Sequence, residues 1–350
     1  MIYFNNDYSE GCLPEILNKM IKTNMEQTPG YGMDFHCAAA ADKIRSICEN
    51  KNAGVHFLVG GTQTNLTIIA AALRPYQAVI SAVSGHINVH ETGAIEATGH
   101  KVVGLQSADG KITAQQVLAE VQAHYSVSDA EHCTQPGMVY ISNPTEYGTI
   151  YTLKELEALS KVCKANGLYL FADGARLGYG LTAEDNDVTL SDMARLCDVF
   201  YIGGTKVGAL FGEAVIISNP VLDRDFRYMI KQRGAMLAKG RLLGIQFETL
   251  FENDAYFKIA TKANAQAQTI RNTLKKLGCR FLVDNTTNQL FPILPNKALN
   301  ALNKEFCFSD MGRVDDEHRA VRICTSWATC DENVQMLCDR LEIVLKSLQS

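Results

Sequence analysis

The chain is 350 residues long, with 47% hydrophobic and 20% charged residues and a formal net charge of −5, proportions of a globular protein with room for about two domains. The acidic balance gives no general electrostatic reason to bind nucleic acid or an anionic membrane surface. No apolar run reaches membrane-spanning length, and the opening MIYFNNDYSEG lacks the basic start and apolar stretch of a signal peptide, so a cytoplasmic location is expected.

Short β-rich apolar runs alternate with helical stretches. Gly54–Val59 reads as a strand and Thr64–Leu73 as the helix after it. Further strands are read at Ala78–Ser81 and Lys101–Leu105, then a helix near Thr113–Ala123. Strand Gly137–Ser142 precedes the helix Leu153–Asn166, and strands at Gly167–Asp173, Asp198–Gly203 and Glu213–Ser218 complete the set. Strands that are apolar throughout and alternate with helices indicate a mostly parallel sheet covered on both faces.

After Asn219 the pattern changes to long helices, Arg241–Phe251 and Tyr256–Leu277. The tail mixes strands (RFLV, QLFPIL, AVRICT) with the helices Lys297–Glu305 and Asn333–Leu348. This predicts a larger α/β domain over residues 1–250, N-terminal segment included, and a small α+β domain over 251–350. The 11 cysteines form no CxxC pair, which leaves no zinc-ribbon or dithiol spacing; they read as reduced thiols, most of them small core residues, and no metal site is expected.

In open parallel sheets, ligands sit at the carboxyl ends of strands. GGTQTN follows the strand ending at Val59 and opens a helix, so backbone N–H groups at Gly61 and Thr62 form a phosphate seat, although the spacing is not that of a Walker loop. FADGARLGYG places Asp173 at a strand end with Arg176 three residues later; an Asp there is more often a helix cap. ISNPTEYGTIYT holds Glu146 in a turn-rich loop facing the same crevice. GGTKVGA presents Lys206 between glycines and apolar runs, where desolvation and nearby positive charge make a lysine a nucleophile. A phosphate seat, a carboxylate and a lysine on neighbouring strand ends suit pyridoxal phosphate: the lysine forms an imine with the aldehyde and the carboxylate keeps the pyridine nitrogen protonated.

With these motifs, and with NNDYSEGCLPEIL, GYGMD, GHINVHETGA, KQRGAMLAKGRLLG, TNQLF and VRICTSWAT, the chain resembles the threonine aldolase / beta-eliminating lyase family, in its low-specificity L-threonine and phenylserine aldolase branch. The resemblance implies a fold type I (aspartate-aminotransferase-like) enzyme: a three-layer αβα large domain and a small C-terminal α+β domain. It implies that Lys206 carries pyridoxal phosphate, Asp173 pairs with the pyridine nitrogen, Arg176 lies near the ring hydroxyl and the substrate, and Gly61 and Thr62 bind the phosphate. His86 matches the histidine that stacks on the ring, Glu91 the acid five positions on, and Arg322 the arginine that grips the amino-acid carboxylate. Sites shared between subunits imply a homodimer or homotetramer, with Lys239 reaching across.

Three positions depart from the family pattern: Asn6, expected to touch substrate, stands for serine, Val207 for asparagine and Phe171 for histidine. The implied reaction is retro-aldol cleavage of L-threonine, L-allo-threonine or a related β-hydroxy amino acid to glycine and an aldehyde, with His86, Glu91 or a water taking the hydroxyl proton. β-Elimination, transamination or decarboxylation on the same scaffold, and a pyridoxal phosphate-binding protein with little turnover, are the competing readings.

Overall fold

A computed structural model describes residues 1–348. Strand β1 is Ile2–Tyr3, followed by β2 (Gly54–Leu58), β3 (Gln77–Ala82), β4 (Lys101–Leu105), β5 (Gln135–Ser142), β6 (Tyr169–Asp173), β7 (Val199–Gly203) and β8 (Glu213–Ile217). The last seven form one sheet in the order β2-β8-β7-β6-β5-β3-β4. All run the same way except β8, which is antiparallel to both of its neighbours.

The unbroken apolar strands follow from burial on both faces. Along β5, Val139 and Ile141 enter one core with Val117, Val121, Leu156 and Leu159 from flanking helices, while Met138 and Tyr140 enter another with Ile68, Ile69 and Phe226. Alternation by two sends successive residues to opposite helical layers. The sheet is thus the middle of three layers, as the sequence pattern predicts. Helix Leu153–Ala165 begins where expected because Thr152 caps it and Glu155 bonds back in a capping box.

Some elements differ from the expectation. The helix expected at Thr64 begins at Gly61, so the glycine turn is itself its first turn. QLFPIL splits at Phe291 into β10 (Gln289–Leu290) and β11 (Pro292–Pro295), after the short β9 (Arg280–Phe281). Strands β12 (Phe306–Cys307), β13 (Ser309–Arg313) and β14 (His318–Cys324) follow; β14 pairs with β10, β11 and β13, all antiparallel.

This C-terminal sheet has its own core, which includes Ile270, Leu274, Leu290, Ile323, Leu337 and Leu341. Helix Ala255–Lys276 links the two cores: Ala260 and Ala263 enter the first, Ala267 and Ile270 the second. The N-terminal segment also belongs to both, for β1 pairs in parallel with β12 and Phe4 lies in the C-terminal core, whereas the Leu13 N–H donates to the Gly208 carbonyl. No helix among the described residues is long and apolar enough to cross a membrane. Every cysteine is a free thiol, and seven are buried.

Candidate active site

Register fixes the site. Ser142 on β5 is the pairing partner of Asp173 on β6, and Gly203 at the end of β7 pairs with Glu213 at the start of β8. Because β8 runs backwards, its amino end delivers Glu213 to the edge where its neighbours end. The glycines around Lys206 answer to close packing. A Cβ on Gly174 would meet the Tyr201 carbonyl oxygen at 1.8 Å, and one on Gly203 would meet that of Ala175 at 2.2 Å. The loops carrying Asp173 and Lys206 therefore touch backbone to backbone, joined by the Gly203 N–H donating to the Gly174 carbonyl (2.9 Å). The Tyr179 hydroxyl fixes the carbonyl of Lys206 at 2.7 Å.

A narrow cavity is lined by Gly61, His86, Ser142, Glu146, Asp173, Arg176, Tyr201 and Lys206 among others. It adjoins a wider cleft of about 810 Å³ that shares His86, Glu146, Arg176 and Lys206 and adds Tyr8, His90, Asp310 and Arg322. That volume lies in the usual range of small-molecule sites. The structure thus brings Lys206, Asp173, Arg176, His86, Gly61 and Arg322 to one place.

Asp173 is buried and held from three sides: Oδ2 accepts from the Tyr140 hydroxyl (2.6 Å) and Asn65 Nδ2 (3.0 Å), and Oδ1 accepts from the Ala175 N–H (2.9 Å). Burial alone would raise its carboxyl, but His86 and these hydrogen bonds outweigh burial and hold it below the usual value. Lys206 is displaced the other way. Burial and then the Arg176 charge push its amine below the ordinary lysine value, against the pull of Asp7, Asp173 and Glu213. Glu213 is buried, accepts from the Thr205 hydroxyl at 2.9 Å, and has its carboxyl pushed up to about 8 by burial.

Glu91 lies behind His86 rather than in the cleft. Its side chain has no exposed surface, and Oε1 meets His86 Nδ1 at 2.7 Å while accepting from Asn65 Nδ2 at 2.7 Å. Asn65 thereby ties Glu91 to Asp173. Arg176 is committed to Asp7, whose two carboxylate oxygens accept from Nε (2.7 Å) and Nη2 (2.9 Å). Arg322 lines the wider cleft and is held by neutral partners: Nη2 donates to the Asn5 carbonyl (2.8 Å) and the Ser309 hydroxyl (3.3 Å), and Nη1 to Gln289 Oε1 (3.4 Å), while the buried Nε has no partner.

Other expected residues lie elsewhere. Asn6 folds onto its own turn, accepting from the Tyr8 N–H (2.9 Å) and Ser9 hydroxyl (3.0 Å), and Thr62 is exposed at the helix start. Lys239 is exposed and lines neither cavity. Phe171 and Val207, two departures from the family pattern, are fully buried, Phe171 edge-on to Tyr140. Asp7, Tyr140, Asn65 and Glu213 were not singled out from sequence. Asp7 and Asn65 each stood inside a quoted motif, NNDYSEG and GGTQTN, without being picked from it.

These residues fit pyridoxal phosphate. An amine of lowered basicity faces the cavity, an ionised carboxylate is buried on the adjacent strand, and the Gly61 helix begins without a side-chain cap, its Gly60 opening on free space. His86, a flat ring, lines the same cavity.

Comparison with known proteins agrees with this geometry. The sequence profile described as beta-eliminating lyase matches residues 7–296. A solved structure of Leishmania major threonine aldolase is 47% identical, covers 99% of this chain and 100% of its own, and superposes with a TM-score of 0.96. A low specificity L-threonine aldolase of Pseudomonas sp. (strain NCIMB 10558) is 29% identical over 98% of both chains. Aspartate aminotransferase from Thermus thermophilus, 14% identical, covers 98% of this chain and 91% of its own with a TM-score of 0.70, a likeness of fold.

Proposed function

Because the chain belongs to the beta-eliminating lyase family, we propose that it is a pyridoxal phosphate-dependent aldehyde-lyase that cleaves L-threonine, L-allo-threonine or a related β-hydroxy amino acid to glycine and an aldehyde. The observation that carries this reading is the joint placement of Lys206, Asp173 and the Gly61 helix start around one cavity. When bound, the cofactor supplies an aldehyde for the amino group and an electron-poor ring that takes up the electron pair released at Cα.

Lys206 holds the aldehyde carbon, and its lowered basicity keeps a fraction of the amine neutral for that purpose. Asp173, ionised and immobilised, keeps a proton on the pyridine nitrogen. Gly61 and the following N–H groups would receive the phosphate, and Arg176, anchored by Asp7, would serve the ring hydroxyl. His86, turned by Glu91 through Nδ1, would pack on the ring. Arg322, which lines the wider cleft, would take the substrate carboxylate through its guanidinium, which fixes the bond at Cα that stands ready to break.

We further propose a homodimer or homotetramer of cytoplasmic location, with Lys239 reaching across to a neighbouring subunit's cofactor. Exposed Tyr31, Met33, Phe35 and Tyr228 support a subunit interface, and the reduced cysteines suit a cytoplasmic compartment. Sedimentation measures the assembly.

Purified protein is expected to show cofactor absorbance that vanishes in Lys206→Ala, and to release an aldehyde and glycine from L-threonine or L-allo-threonine. Keto acid or pyruvate instead of aldehyde moves the reaction to transamination or β-elimination; binding without product from any amino acid leaves a carrier.

A further inference from the structure

Four residues line both the narrow cavity and the wider cleft: His86, Glu146, Arg176 and Lys206. Lys206 holds the cofactor in the reading above, and Arg176 is a permanent cation bound to Asp7. Two groups able to accept a proton remain. His86 has Nδ1 tied to the buried Glu91. Glu146 is disposed differently. Its Oε1 accepts from the backbone N–H of His86 (2.9 Å) and from the Ser142 hydroxyl (2.7 Å), which fixes the carboxyl at the junction of the two spaces. Oε2 bonds to no protein donor among the described residues and is not sealed in the interior. Burial, with the neighbouring Asp173 carboxylate adding to it, pushes the Glu146 carboxyl above its ordinary value despite the Ser142 bond, in the direction a proton acceptor at neutral pH requires.

We propose that Glu146 is the base that takes the β-hydroxyl proton of the substrate. The inference rests on the aldolase reading. The hydroxyl O–H bond breaks and its proton goes to Oε2 of Glu146. The freed oxygen pair becomes the second bond of the aldehyde carbonyl as the Cα–Cβ bond breaks. The Cα–Cβ pair stays with the glycine fragment, where pyridoxal phosphate would stabilise it; Cα then takes one proton from solvent and Glu146 returns its own to solvent, so the count of protons closes. Glycine and aldehyde together contain the atoms of the substrate, and nothing is oxidised or reduced.

The test uses Glu146→Gln in the holoenzyme. A glutamine oxygen still accepts from His86 N–H and Ser142 but cannot take a proton, so the contacts survive and the chemistry does not. Two reactions are compared: aldehyde release from L-threonine or L-allo-threonine, and exchange of the glycine Cα proton with deuterium, which involves no hydroxyl. The expected result is a fall in cleavage of about 100-fold or more, with glycine exchange within about threefold of wild type and unchanged cofactor absorbance. Cleavage that persists within a few fold overturns the proposal. So does an equal fall in both reactions, or a selective loss of cleavage in His86→Phe but not in Glu146→Gln.

A readout independent of turnover comes from infrared difference spectra of the cofactor-free proteins. Wild type should show a protonated carboxyl band at mildly acid pH that is missing from Glu146→Gln, whereas a Glu146 ionised throughout that range is too weak an acceptor and overturns the idea. A wild-type protein that binds the cofactor but cleaves no β-hydroxy amino acid overturns the parent reading, and with it this one. That outcome is distinct from every result read on the variant.

Discussion

Asp7 offers a test of how the site is held together. It has no exposed surface, pairs with Arg176 through both carboxylate oxygens, and accepts from Asn288 Nδ2 at 2.9 Å, so it joins the large sheet to the C-terminal layer. In Asp7→Asn the shape is kept and the charge removed, which leaves the Arg176 guanidinium, 13% exposed, without its counter-ion. Breaking one side of a buried pair costs about 3–5 kcal/mol. At roughly 2.1 cal/mol/K of unfolding entropy per residue, a chain of 350 residues has about 0.7 kcal/mol/K at its midpoint, so Tm should fall by roughly 4–7 °C. Differential scanning calorimetry of the cofactor-free protein measures this. Removing the stranded charge as well, in Asp7→Asn with Arg176→Met, should recover part of the loss.

The pH dependence has a definite sign. Burial works against ionised Asp7, but Arg176 prevails and lowers its carboxyl from 3.8, so the wild-type advantage is full above that unfolded value and is lost as pH falls through the lower folded one. A Tm change under about 1 °C, or a double variant no more stable than Asp7→Asn, would show that the pair contributes nothing of the size calculated.

Arg322→Lys replaces a forked guanidinium by a point charge and should lower kcat/KM for β-hydroxy amino acids by roughly 30- to 1000-fold, about 2–4 kcal/mol; less than tenfold counts against the carboxylate grip. For Glu213 the folded carboxyl titrates near 8 against 4.5 unfolded, so the native chain keeps a proton the unfolded chain gives up, and stability falls as pH rises between those values. Glu213→Gln should flatten that slope in denaturant titrations of cofactor-free protein at several pH values; an unaltered slope contradicts the assignment. Gly174→Ala should fail to fold or to bind the cofactor, since its Cβ would meet backbone rather than a movable side chain; a soluble, cofactor-binding variant would show that the two loops can part.

The three-layer architecture was legible because β5, β6, β7 and β8 are apolar on both faces, a pattern that surface strands do not share. Lys206, Asp173 and Gly61 were legible because each follows a recognisable strand at its carboxyl end. The supporting residues were not. Asn65 reaches Asp173 across 108 positions and Tyr140 across 33, separations that a local pattern does not encode. Glu213 opens an apolar strand and looks like an ordinary boundary residue until the antiparallel pairing of β8 with β7 sets it beside Gly203. QLFPIL reads as one strand by hydropathy, yet its halves pair with different stretches of β14, and that division is tertiary.

The opening residues of this chain have an unusual schedule. Asn5 hands its carbonyl to Arg322, 317 positions later, and Phe4 accepts from the N–H of Cys324. At roughly 5–20 residues per second, translation leaves that segment without its mates for about 15–60 s. Once Ile217 has emerged, the polypeptide can complete its large sheet while the substrate-gripping wall has yet to be made. A ribosome-bound product that stops short of Arg322 should therefore capture the coenzyme before it can discriminate among amino acids.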